Sequence, residues 1–354
     1  FTLRYALCTW SSGVQADSSF SQRLLAWFDQ YGRHDLPWQV ADDPYKVWVS
    51  EIMLQQTQVK TVLNYFDRFM ARFPTVHALG SATWDEVAPY WAGLGYYARA
   101  RNLHKAAMQV LAQGGEFPQT LDGWMALSGI GRSTAGALMS LGLRQYGVIM
   151  DGNVKRVLTR YFALEGDSMK PAVINQLWDL ATQLTPHTRN ADYTQAIMDL
   201  GATVCTPKKP LCLYCPMQQS CQAFAQNRVL EFPQKSSSKP TPTRHANVWV
   251  IEQDGQWLWL QRPNAGLWGG LWCLPITEDA TTFAHASALG VIKHTFTHFT
   301  WLLSAYRVDA RQLGAEQIAQ LTQGQPTIWQ SPQTSATLGI PQAMQKLIAQ
   351  VATP

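Results

Sequence analysis

Two carboxylates, Glu51 and Asp151, stand in sequence settings that could give them acid–base work. A carboxyl acts as a general acid near neutral pH only when its surroundings raise its pKa. Glu51 lies in DPYKVWVSEIMLQQTQV at 43–59, where Asp43-Pro44 reads as an N-cap followed by the first helical residue. At helical spacing its neighbours at i−4, i−3 and i+3 are Val47, Trp48 and Leu54. A carboxyl among apolar side chains is desolvated and holds its proton to higher pH. The plainer alternative is a glutamate at the edge of an amphipathic face, reaching to water. Asp151 lies in IMDGNVKRVL at 149–158, where a helix begins, and N-cap duty is its simplest role. Paired with Glu51 it would be a second carboxylate, and two carboxyls flanking a glycosidic bond stabilise and resolve an oxocarbenium-like centre.

The densest chemical signal is Cys205, Cys212, Cys215 and Cys221, spaced C-x6-C-x2-C-x5-C. Disulfides here would close very short loops, and nothing in the sequence points to secretion. Four thiolates are the usual ligand set of a [4Fe–4S] cluster and also a ligand set for zinc. Zinc sites pair short knuckles across a longer gap, whereas these four fall in one compact run. The stretch LSGIGRSTAGALMSL at 127–141 supplies a different chemistry. Gly129 and Gly131 flank Ile130 in a tight turn between two helices. The second helix begins with bare amides that can hold a phosphate.

These residues need elements to carry them, and 354 residues at 46% hydrophobic content are enough for two domains with cores. From about Ser18 to Asn227 apolar residues recur at helical spacing, first at Phe20, Leu24, Trp27 and Phe28 behind a capping Ser19. Further helices are expected near 60–72, 83–91, 97–113, 121–127, 132–144, 153–163, 171–184 and 191–203. The segment EFPQKSSSKPTPTR at 231–244 reads as a linker. Beyond it the period switches to two. Residues 248–251 and 257–260 flank Asp254-Gly255 as a hairpin, residues 292–308 give two strands or one bent one, and 341–351 close with a helix. Residues 1–17 are expected to be a disordered tail. The net charge of +4 is a weak argument for an anionic partner. The basic groups Arg99 with Arg101, Lys155 with Arg156 and Arg160, and Lys208 with Lys209 are either solvated helix faces or phosphate contacts. No run of 18 apolar residues is present, so no membrane-spanning helix is expected.

Taken together, the motifs resemble the adenine DNA glycosylases of the MutY type, within the helix-hairpin-helix superfamily that includes endonuclease III. The resemblance rests on LPW at 36–38, SEIMLQQTQV at 50–59, GLGYYARARNLHKAA at 93–107, the hairpin, DGNVKR at 151–156 and the four-cysteine run. It implies a multidomain chain. An all-α helix-hairpin-helix glycosylase domain spans 18–230, with its hairpin at 121–143 and a [4Fe–4S] cluster loop at 205–221 held by the four cysteines. A smaller α+β Nudix-like domain spans 245–354. The partner implied is double-stranded DNA containing adenine opposite 8-oxoguanine or guanine, bound by a monomer. The adenine is flipped into a pocket between two helical subdomains.

The resemblance also implies roles. Glu51 matches the general acid that protonates the departing adenine. Asp151 matches the carboxylate that stabilises or bonds the oxocarbenium ion, and Asn153 positions the attacking water or Asp151. Gln56 and Tyr96 match residues that fill or wedge the opened stack, with Trp38, Leu54, Gly129 and Gly131 also at the DNA face. Ser133 stands where bifunctional relatives carry a nucleophilic lysine, so the chain is expected to be monofunctional. Lys155 is the nearby amine left to trap a sugar adventitiously.

The C-terminal domain is similar to Nudix folds through QRPNAGLWGGLWCLP at 261–275. Its acidic residues Glu278, Asp279, Asp309 and Glu316 are scattered, without the clustered helix that holds Mg²⁺. A binding module is expected, reading 8-oxoguanine through Phe296, Thr297 and His298, with Thr297 where the family has serine. Tyr193-Thr194 departs from the family's usual Phe-Asn. A glycosylase for another mispaired base and a non-catalytic iron–sulfur lesion sensor are the competing readings. The expected location is a bacterial cytoplasm.

Overall fold

The computed structural model describes residues 18–39, 43–236, 240–278, 282–283 and 285–352. The tail expected at 1–17 lies outside them, as does Asp279. The helices are α1 (Ser18–Tyr31), α2 (Pro44–Leu54), α3 (Val59–Arg72), α4 (Val76–Gly80), α5 (Trp84–Trp91), α6 (Tyr97–Ala112), α7 (Leu121–Met125), α8 (Arg132–Ala137), α9 (Gly152–Tyr161), α10 (Pro171–Leu184), α11 (Asn190–Asp199) and α12 (Gln222–Ala225). Strands follow: β1 (Thr243–Gln253), β2 (Gln256–Gln261), β3 (Trp272–Cys273), β4 (Ile276–Thr277), β5 (Ser287–Thr295), β6 (Thr300–Asp309) and β7 (Thr327–Gln330), with α13 (Ala315–Thr322) and α14 (Gln342–Ala352). The helix expected at 132–144 is α8 continued by a π-helical turn, Leu138–Gly142, and α11 likewise continues as Leu200–Val204.

Contacts group the chain into two units. Over the described residues, the first comprises 18–39, 43–47, 119–124 and 131–236, and the second 48–118, 125–130, 240–278, 282–283 and 285–352. In the first unit, Phe20, Leu24 and Phe28 of α1 pack with Val154, Val157 and Leu158 of α9 and with Tyr193 and Ile197 of α11. Burying these side chains contributes about 1.5–3 kcal/mol each, less the entropy of ordering them. Cys205, Cys215 and Cys221 border the same core. The stretch expected as a linker begins inside this unit rather than free of it. Phe232 is 1% exposed, and the Gln234 carbonyl accepts from the Ser168 amide at 2.9 Å. A buried ring and a backbone hydrogen bond outweigh the Ser/Pro/Lys composition around them. Residues 237–239 lie outside the described ones.

The second unit holds α3–α6 and the C-terminal sheet. Its strand order is β3-β2-β1-β6-β5, with β4 on β1 and β7 on β2. The central β1–β6 pair is parallel, and β1–β2 and β5–β6 are antiparallel. The β1–β2 hairpin turns through Asp254-Gly255 as expected, with Asp254 at φ 51°. The expected strand region at 292–308 resolves into β5 and β6. Trp249, Ile251, Leu258 and Val308 form a core there.

Within this unit α5 and α6 are bonded to loops of the C-terminal domain that precede β3 and α14. Trp84 Nε1 donates to the Gly270 carbonyl at 2.9 Å, Arg101 Nη1 to the Gly269 carbonyl at 2.6 Å, and Tyr97 Oη to the Ile340 carbonyl at 3.1 Å. Among the described residues no helix is long and apolar enough to cross a membrane.

Candidate active site and DNA interface

In the first unit the site is built on α9. Asp151 is its N-cap: one carboxylate oxygen accepts from the Val154 amide at 2.8 Å and the other from Asn153 Nδ2 at 3.3 Å. Capping and a chemical role are therefore compatible, because the caps leave acceptor capacity on both oxygens. As a residue Asp151 is partly exposed, yet its carboxyl is surrounded deeply enough that burial raises its pKa. The amides of Val154 and Asn153 and the charge of Arg156 oppose that rise. Just upstream, Ser133 Oγ accepts from the Met150 amide at 3.0 Å. The residue at the lysine position thus ties α8 to the chain entering Asp151. Lys155 points its amine elsewhere, to the Ser168 carbonyl at 3.0 Å.

Beyond Asn153, α9 meets the cysteine loop. Arg156 donates from Nε to the Cys205 carbonyl at 2.7 Å and from Nη2 to Asn153 Oδ1 at 2.8 Å and the Gly201 carbonyl at 2.7 Å. Arg160 is 2% exposed and donates to the carbonyls of Thr206 at 2.8 Å, Pro207 at 3.1 Å and Phe232 at 3.0 Å, and to Cys205 Sγ at 3.4 Å. These arginines, read from sequence as a solvated face or phosphate contacts, hold the loop instead. Lys208 and Lys209 are exposed. Cys205, Cys212, Cys215 and Cys221 line one pocket together with Arg160, Val204 and Phe224. Among the described residues no group of three or more His, Cys, Asp or Glu that could hold a metal ion is found. The four thiols on one pocket wall are the donor type that a [4Fe–4S] cluster and zinc both take.

The hairpin follows the sequence expectation. Gly129 has φ +78°, and a Cβ there would fall 2.5 Å from Asn102 Cβ, so both conformation and space call for glycine. Gly131 caps α8 in extended conformation, with open space around its Cα. Trp38, expected at the DNA face, is 5% exposed. A large indole gains more from burial than from a wet surface.

In the second unit, Glu51 is partly exposed on α2, one turn after the buried Trp48, which is 0% exposed. Leu54 ends the helix, partly buried. Gln56 and Tyr96 are both exposed and both left-handed, at φ 58° and 49°. Sequence reading did not identify what holds them. Arg99 does, with Nη1 donating to the carbonyls of Ile52 and Met53 at 2.9 Å and to that of Gln55. The pair Arg99 and Arg101 is thus spent on backbone carbonyls rather than presented as a basic patch.

In the C-terminal domain, Phe296, Thr297 and His298 form the turn between β5 and β6, closed by the Phe296 amide donating to the Phe299 carbonyl at 2.8 Å. Thr297 and His298 are exposed and Phe296 half-buried. Phe296 is seated among Trp268, His294, Phe299 and Trp301, with ring centroids 4.6–6.2 Å away. That aromatic seat was missed, although the alternation in HTFTHFTW marked it. Glu278 follows β4, Glu316 lies on α13, and Asp309, at the end of β6, caps the turn at Arg311.

Two family models match: HhH-GPD superfamily base excision DNA repair protein over residues 49–183, and a NUDIX domain over 247–350. Fold and site together define a helix-hairpin-helix base-excision repair glycosylase with a Nudix-like domain. The chain is similar to the adenine DNA glycosylase of Buchnera aphidicola subsp. Baizongia pistaciae, at 34% identity over 94% of this chain and 96% of the relative. It is also similar to that of Homo sapiens, at 37% over 82% and 66%. Among solved structures, a thermostable thymine-DNA glycosylase is 28% identical with a TM-score of 0.54, covering 60% of this chain and 97% of its own. An endonuclease III–DNA complex, at 19% and 0.51 over 59% and 95%, shares the fold. The chain belongs to the adenine DNA glycosylase family.

Proposed function

We propose that the chain excises adenine mispaired with 8-oxoguanine or guanine by hydrolysing the N-glycosidic bond, without a lyase step. Residues 18–230 form the glycosylase and 245–354 the reader of the opposite base. The observation that carries this reading is the deep Asp151 carboxyl, fixed by the Val154 amide and Asn153, with a serine hydroxyl rather than an amine bonded just before it.

Glu51 protonates the adenine as the glycosidic bond breaks, so the base leaves neutral. Positive charge develops on the sugar, and ionised Asp151 stabilises it electrostatically in a site where water screens little. Asn153 keeps Asp151 oriented for the water that attacks the sugar. With no amine at position 133, no Schiff base forms there and the product is an abasic site. Thr297 and His298 are the exposed polar groups that read the opposite strand, and Gln56 and Tyr96 enter the opened stack.

Cys205, Cys212, Cys215 and Cys221 are the residues that would hold a [4Fe–4S] cluster. Bound, it supplies a rigid, charged crosslink and no redox step in hydrolysis. Lys208 and Lys209, exposed on the same loop, then meet phosphates.

Single-turnover adenine release from duplexes carrying A opposite 8-oxoguanine, A opposite G and A opposite T tests this, with Glu51→Gln as control. Rapid release from the first, slower from the second, none from the third and loss in the control are expected. Strand cleavage at the abasic site keeping pace with adenine release would overturn the monofunctional part. Release of thymine from a T:G duplex, with none of adenine, would overturn the whole.

A further inference from the structure

The left-handed residues Gln56 and Tyr96 are far apart in sequence, yet each follows a peptide carbonyl held by the same guanidinium. Arg99, on the first turn of α6, donates from Nη1 to the Gln55 carbonyl and from Nη2 to the Gly95 carbonyl at 3.2 Å. These are the oxygens of the peptide units that enter Gln56 and Tyr96. Nη2 also donates to Thr57 Oγ1 at 3.3 Å, on the far side of Gln56. The guanidinium carbon lies 5.3 Å from the Tyr96 ring centre and 5.5 Å from that of the buried Trp91.

A non-glycine residue in the left-handed region costs roughly 1–2 kcal/mol and persists only where its surroundings over-determine it. Both side chains are exposed, Tyr96 at 48%. Arg99 reaches the peptide units of both, sharing the Gly95 carbonyl with Trp91 Nε1 at 3.1 Å and the Gln55 carbonyl with Thr57 Oγ1 at 3.4 Å. The guanidinium's position at the end of α2 is also favourable, because the carbonyls of Ile52 and Met53 are helix-terminal oxygens and a cation there complements the helix dipole. Lysine would offer a point charge without the planar fork that reaches two peptide units at once.

We propose that Arg99 is a positioning residue that locks Gln56 and Tyr96 into a single two-residue wedge, poised before DNA arrives. This rests on the reading above, in which those two side chains enter the base stack. A wedge already in place spares the ordering entropy when the stack opens. Arg99 therefore acts on extrusion of the base, not on initial association with the duplex.

The test uses full-length, cluster-loaded protein and Arg99→Lys. Three quantities are measured: affinity for a fully matched duplex, which reports association alone, single-turnover adenine release from the paired A:G duplex, and release from a substrate with the same adenine already unpaired in a bulge. Expected are affinity within about twofold of wild type, release from the paired duplex slowed at least tenfold, and most of that loss recovered on the bulge. A merely structural defect would slow both substrates alike, and that outcome, or a wild-type rate on the paired duplex, overturns the proposal. Thr57→Val removes one partner and leaves the ion, so it serves if Arg99→Lys does not fold. The same pattern at a few-fold loss is expected, and equal losses on both substrates again refute it. If wild-type protein releases no adenine from either substrate, the functional reading fails instead, whatever Arg99 does.

Discussion

Gly201 lies against Asn153 so closely that a Cβ at position 201 would fall 2.6 Å from Asn153 Cβ and 3.1 Å from its Cα. The π-helical turn Leu200–Val204 therefore presses the start of the cysteine loop onto the residue that orients Asp151. Position 201 is where the loop and the carboxylate site meet.

Gly201→Ala is accordingly expected to displace Asn153, since backbone on one side cannot yield cheaply. Overpacking of this kind costs about 1–3 kcal/mol. A lower Tm together with single-turnover excision slowed beyond what unfolding explains is the expected result. A variant with unchanged rate would show that Asn153 tolerates the shift and does not set the geometry of Asp151.

Asp151→Asn separates capping from charge. Asparagine caps a helix about as well as aspartate, so the fold keeps its N-cap while losing a buried anion. Burial raises the Asp151 pKa, so the folded state binds the proton more tightly than the unfolded chain. The wild type's relative stability is then greatest below the ordinary aspartate range and falls as pH rises through the raised pKa. Thermal melts should show Asp151→Asn at least as stable as wild type at neutral pH, the gap closing in acid. Excision should fall by orders of magnitude. In wild type, which needs the ionised form, the acid limb of the rate should lie above the ordinary aspartate range. A Tm well below wild type at neutral pH would contradict this account.

Arg160→Met removes the donor shared by the carbonyls of Thr206, Pro207 and Phe232. The Phe232 bond is buried and the other two are part-buried; one orphaned buried carbonyl costs about 1–3 kcal/mol, so a loss of about that size is expected, concentrated in the cysteine loop. Iron bound per chain and the visible absorbance should drop together with Tm. Full iron loading at wild-type stability would show that the loop is held without Arg160.

Thr297→Ala tests the C-terminal turn. Thr297 is exposed at its tip, so folding should be unaffected. Losing one hydrogen bond to the opposite base is worth about 0.5–1.5 kcal/mol. The preference for A opposite 8-oxoguanine over A opposite G should shrink a few-fold to about tenfold, with the rate on A:G unchanged. Equal slowing on both duplexes would argue for a generic DNA contact instead.

Much of this protein is written locally. Asp151 begins a helix because aspartate caps, Gly129 turns because only glycine fits beside Asn102, and the Asp254-Gly255 hairpin turns where its residues allow φ above zero. The cysteine run announced its own chemistry by spacing, and Ser133 stood out against a family pattern. What local reasoning misassigned were charges. Arg99, Arg101, Arg156 and Arg160 looked like surface cations.

The sequence by itself determined the helix and strand periods, the caps and turns, and the types of residue available for acid, carboxylate and thiolate chemistry, because each depends on neighbours within a few positions. Only the tertiary structure decided where the arginines spend their hydrogen bonds, which tryptophans are buried and what holds Gln56 and Tyr96 left-handed. Those outcomes depend on carbonyls and rings contributed from distant segments. Arg99 meets Gln55 and Arg160 meets Phe232 only after the chain has folded.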